Sequence, residues 1–191
     1  KKAWMKYIVM PQQTQIGGIW FADQVLSDTH LIAEICQTFE QQLVHLGLSY
    51  YYQHYPINSP AIQPMQAMGF KIKERVTYRI EDLSNLDQVI HAFSKNKKRQ
   101  LQKALSLHAD TNMNVEDFYR FHTQCLQKQG KQISYSREFL LVLERKTSRL
   151  NQGQILSICD ADNNVLAAAF LVWDKLSMYY LIPCYDPQYK D

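Results

Sequence analysis

Three apolar stretches near the end of the chain decide its fold class: Ile155 to Asp160 (ILSICD), Val165 to Trp173 (VLAAAFLVW) and Leu176 to Pro183 (LSMYYLIP). Each is built from β-branched, aromatic or small apolar residues, the composition that fits a pleated, half-buried surface. Only Ala161-Asp-Asn-Asn164 and Asp174-Lys175 separate them. Parallel strands need a crossover of about a dozen residues or more, so spacers this short force antiparallel hairpins. The stretch therefore predicts a three-stranded meander, and the helical patterns upstream of it predict an α+β class.

Working outward from the meander, Ser136 opens a helix running to about Leu150, and Asn114 to Gln129 reads as another. The second puts Val115, Phe118, His122, Cys125 and Leu126 on one side, with Gly130 as its stop. Ser84-Asn-Leu-Asp87 resembles a capping box ahead of the stripe Leu86, Val89, Ile90, Phe93. A further helix is expected from Ser94 to about His108, with Leu101, Ala104, Leu105 and His108 as its buried stripe. Nearer the start, Trp4 to Met10 reads as a strand ended by Pro11, and Thr29 to Leu46 as a helix capped by Ser27 or Asp28 and closed by Gly47. Leu48 to Tyr52 is strand-like, Pro56, Pro60 and Pro64 mark a loop, and Phe70 to Ile80 alternates well enough to predict a long strand. The change of character near residues 80–84 divides the chain into residues 1–82 and 83–191.

The 191 residues are 46% hydrophobic and 20% charged, enough apolar material for a folded core. A net charge of +3 does not by itself imply nucleic acid binding. Cys36, Cys125, Cys159 and Cys184 lie far apart, with no C-x-x-C pair, so they read as reduced intracellular thiols rather than metal ligands. His122 and Cys125, at i and i+3, supply two ligands at most, and no metal is expected. The longest apolar run, Val165 to Trp173, is under half of what spans a bilayer, and Lys6 interrupts any signal-peptide core, so a cytoplasmic location is expected. The start at Lys1 and the stop at Asp191 read as two cut ends.

With the elements in this order, the chain resembles the Fem-like branch of the GNAT acyltransferase superfamily, whose members carry two tandem GNAT-like domains. The resemblance rests on Met68 to Leu83 (MGFKIKERVTYRIEDL), the basic segment Lys97 to Ala104 (KKRQLQKA), Ala167 to Asp174 (AAAFLVWD) and Tyr179 to Pro187 (YYLIPCYDP). It implies a mixed, mainly antiparallel sheet flanked by helices in a partial tandem arrangement. Residues 1–82 would be the C-terminal part of a first GNAT-like domain and residues 83–191 the N-terminal part of a second. It implies transfer of an acyl or aminoacyl group, from acyl-CoA (acetyl-CoA) or aminoacyl-tRNA, to an amine acceptor such as a phosphate-bearing small molecule or cell-wall (peptidoglycan) precursor.

In such a fold the donor lies along the last strand, where the resemblance places Tyr179, Tyr180, Cys184 and Tyr185. Tyr180 and Tyr185 are the candidate catalytic residues, because a phenol stays protonated at neutral pH and can give its proton to a leaving thiolate. Tyr179 and Cys184 are candidate donor contacts. Alternating tyrosines on a strand also fill cores with their hydroxyls at water. The phosphates of CoA are usually cradled by a Gly-rich loop at a helix N-terminus; Gly153 is the last glycine and precedes a strand, so weak CoA binding and little activity are expected of these residues alone.

Lys95, Lys97, Lys98, Arg99 and Lys103 occur with no acid between Ser94 and Ala109. Lys95, Arg99 and Lys103, at i, i+4 and i+8, share one helix face, where like charges repel until an anion relieves them. Together with Lys98 they are the candidate acceptor site, and the resemblance implies a diphosphate as the anion. A solvated charged face is the plain alternative. The basic helix with nearby tyrosines also fits a nucleic-acid-binding module, and the lack of a phosphate cradle fits a non-catalytic scaffold.

Overall fold

The computed structural model describes residues 5–189, which form two compact units divided between Tyr78 and Arg79. The first unit opens with β1 (Tyr7–Ile8), which pairs in parallel with β2 (Tyr50–Tyr51), Tyr7 opposite Tyr50. The apolar stretch at the start thus finds its partner some forty residues away; Trp4 lies outside the described residues. Between the strands runs α1 (Thr29–His45), whose first turn is closed by the Asp28 carboxylate accepting from Leu31 N–H at 2.9 Å. Its Ile32 and Cys36 pack with Ala61 and Met65 into a small core, walled by Phe39, Tyr51 and Phe70.

The proline-rich segment expected as a loop contains a short helix, α2 (Ile62–Ala67). Pro64 is tolerated there because it sits in the first turn, where its missing N–H would have had no partner within the helix. The strand expected over Phe70 to Ile80 does not form. Residues 71–80 are neither helix nor strand and are all exposed, Val76 at 88% and Tyr78 at 96%. An alternating pattern makes a strand only when a neighbour takes its N–H and C=O groups, and among the described residues no strand pairs with this one.

The second unit begins with two short helices, α3 (Leu86–Ala92) and α4 (Lys95–Lys103), capped by Asn85 and Ser94 side chains. The helix expected to reach His108 ends a turn earlier. Residues Ala104–Ser106 form a 3-10 turn, and His108–Asp110 becomes a strand, β3. The stripe expected to be buried is consequently exposed: Leu101 at 38% and Leu105 at 76%, with Ala104 and His108 also open. Once the turn tightens, positions 104–108 leave the 3.6-residue register that would have aligned them with Leu101.

Then come α5 (Val115–Lys128) and α6 (Arg137–Arg149), with Asn114 and Ser136 as N-caps. The meander follows as β4 (Gly153–Cys159), β5 (Val165–Trp173) and β6 (Met178–Tyr185). All three pairings of the sheet, ordered β3-β4-β5-β6, are antiparallel. Ser157 ties in the short β3 by donating its hydroxyl to Asp110 C=O at 3.1 Å. One side of the sheet carries the core. There α5 lies on β6 and α6 on β4, with Phe118 (0% exposed) against Phe170, their ring centroids 6.4 Å apart. Gly153, the last glycine, serves this packing, since a Cβ on it would collide with the Thr147 side chain of α6. No described helix is long and apolar enough to cross a membrane.

Candidate functional site

Strand alternation alone would put Tyr180 and Tyr185 on opposite faces of β6. The ladder shows otherwise. Ala167 pairs with Tyr185, Ala169 with Pro183 and Phe170 with Ile182, but Leu171 then pairs with Tyr180, so Leu181 is an extra residue. This bulge shifts the parity of the strand. Leu181 and Ile182, consecutive in sequence, both join the helix-side core. Tyr180 and Tyr185 both emerge on the far side, 64% and 43% exposed, beside Leu171 and Ala167. The open face so formed also carries Leu156, half-buried, and Met178, 61% exposed.

The other two expected donor contacts fall on the helix side. Tyr179 pairs with Val172 and is half-buried. Cys184 is 5% exposed in the core, its Sγ 3.4 Å from Ala168 C=O. Burial pushes its thiol up to about 12, so it is protonated and poorly nucleophilic at neutral pH. A molecule on the open face would meet only the backbone of Cys184. For Tyr180, burial and then the nearby Cys184 push the phenol above its ordinary value. This direction keeps the O–H protonated.

The cations of α4 stand in water. Lys95, Lys97, Arg99 and Lys103 are exposed, and no described carboxylate lies within ion-pair distance of them or of Lys98. Lys95, Arg99 and Lys103 share a face, as their spacing requires. Lys98 is different: half-buried, it donates from Nζ to His91 C=O at 2.7 Å, joining α4 to the end of α3.

Sequence reasoning missed two shallow cavities beside β3. One, of about 400 Å³, is lined by Met113, Glu144, Ser148 and Trp173; the other, of about 440 Å³, by Asp110, Asp117, Arg120 and Gln124. In each, one polar pair is already engaged: Ser148 donates to Glu144 at 2.8 Å, and Arg120 pairs with Asp117. No signal in the sequence marks them, because β3 becomes a strand only by pairing with β4. The ring of His122 is committed to Tyr135, whose Oη lies 2.6 Å from Nδ1. Among the described residues no cluster of three potential metal ligands occurs.

No family model and no curated protein matches this chain. The chemistry of the site therefore carries the functional reading.

Proposed function

We propose that the chain is part of an N-acyltransferase of the GNAT type, within the Fem-like branch. The observation that carries the reading is the bulge at Leu181, which aims Tyr180 and Tyr185 out of the same exposed face of the strand where a donor would lie. Bulges recur beside active sites because they re-aim side chains. An acyl thioester along this face would present its carbonyl carbon to an incoming amine. The C–N bond forms, the C–S bond breaks, the amine gives up a proton to solvent, and Tyr180 protonates the departing thiolate. With an aminoacyl-tRNA donor the bond that breaks is the ester C–O, and the same hydroxyl protonates the ribose oxygen. The row Lys95, Arg99 and Lys103 would hold an acceptor bearing phosphate, the guanidinium offering a bidentate fork.

The test is a titration of the chain with acetyl-CoA, followed by backbone amide shifts. The reading expects perturbations concentrated in 167–173 and 178–185. No perturbation at millimolar ligand, or perturbation confined to 5–78, overturns it. With pyrophosphate as the probe for the acceptor anion, Arg99→Ala should weaken binding by roughly 1.5–3 kcal/mol, the range for a charge-assisted hydrogen bond.

A further inference from the structure

Between Gln88 and Ala109 the chain has five lysines and arginines and no acid. The same stretch and its approach expose an unusual set of large apolar side chains. Leu83 is 59% exposed, Leu86 62%, Ile90 46%, Leu101 38% and Leu105 76%. In α3 they are not scattered, because Leu86, Val89, Ile90 and Phe93 follow helical spacing and form one stripe. None belongs to the buried core of its unit or packs against it. In α4, Lys97 and Lys98 flank Leu101 on the helix wheel, while Lys95, Arg99 and Lys103 occupy the opposite side. The bond from Lys98 to His91 C=O joins α4 to the end of α3, and the cations on the apolar side of α4 are Lys97 and Lys98. The acids nearest in sequence bracket the cations: Asp87 lies in the first turn of α3, and Asp110 closes β3.

We propose that α3 and α4 dock on an anionic membrane surface. A bilayer with anionic headgroups offers both things this surface lacks. Phosphates lie at the level of the lysines, and an acyl boundary about 5–10 Å deeper would receive the leucines and Ile90. Nucleic acid would satisfy the cations and leave the apolar stripe in water. A bilayer also requires no shaped groove, which suits two helices of seven and nine residues standing clear of the core. The helices lie in the interface and do not cross it. The proposal needs neither the open face of β6 nor a donor, and on α4 it uses the side opposite the row Lys95, Arg99 and Lys103.

Flotation of the 191-residue chain with phosphatidylcholine vesicles, with and without phosphatidylserine, tests it. Binding should appear only with phosphatidylserine and weaken as salt is raised. The single variant Lys97→Gln, which removes a cation beside Leu101, should lower partitioning about five-fold. The double variant Leu86→Ser, Ile90→Ser should abolish binding while its circular dichroism and melting midpoint stay unchanged, because both side chains are exposed. Absence of binding at low salt, equal binding to neutral vesicles, or undiminished binding by the leucine and isoleucine variant would overturn the proposal. Tight binding of a single-stranded RNA oligonucleotide that survives that same variant, with no vesicle binding, would assign the surface to nucleic acid instead.

Discussion

The buried pair of His122 and Tyr135 makes the stability of the second unit depend on pH in a defined window. His122 is 8% exposed and Tyr135 is 4% exposed, with Nδ1 and Oη 2.6 Å apart. Burial holds the imidazole below its ordinary value, so the folded unit resists the proton that the unfolded chain accepts near pH 6.5. The stabilising contribution is complete above about 6.5 and is lost as pH falls from there toward the folded value. One proton limits the slope to about 1.4 kcal/mol per pH unit. Carboxylates held low, among them Asp186 by Lys128 and Asp160 chiefly by the Asn164 side chain, act in a separate window, below about pH 4. Tyr135→Phe leaves Nδ1 buried without a partner and should cost about 1–3 kcal/mol. His122→Phe should flatten the profile between neutrality and pH 5, and the double variant should cost less than the sum of its parts, because no orphaned polar atom remains. Amide exchange read at β5 and β6 confines the measurement to residues 79–191. A His122→Phe protein with an undiminished fall in stability toward pH 5, or additive single costs, would refute the argument.

Three further outcomes follow from the same core. Phe118→Ala, which empties a fully buried position against Phe170, should cost about 3–5 kcal/mol in denaturant unfolding. Ser136→Ala removes the hydroxyl that accepts from Phe139 N–H at 3.1 Å and should cost about 0.5–2 kcal/mol by the same measurement. All four cysteines are free and buried, so a thiol reagent should react slowly with the native protein and promptly with four groups after denaturation; rapid native reaction at Cys184 would contradict its place in the core.

The meander was legible because its evidence is local: a nine-residue apolar run between short polar spacers has few alternatives to a central strand, and β5 spans Val165–Trp173 as read. The caps at Asp28, Asn114 and Ser136 were legible for the same reason, each being a side chain answering an N–H three residues on. What depends on distant partners was not. His108-Ala-Asp110 carries little strand propensity and is a strand only because β4 offers it a ladder, whereas residues 71–80 carry the pattern and lack the neighbour. The tyrosine face was half legible. The residue types could be named, but their common side depends on one bulge that periodicity cannot reveal.

The order of the strands also sets the order in which the second unit should assemble. β4, β5 and β6 are neighbours both in sequence and in the sheet, so their ladders close short loops at little entropic cost. β3 is different: its bond from Ser157 to Asp110 spans 47 positions and encloses both α5 and α6. The meander is expected to form early and β3 to join last, once the two helices between them are folded. In pulse-labelled refolding, protection at Ala109 should lag behind that at Phe170; simultaneous protection would mean that the sheet closes in one step.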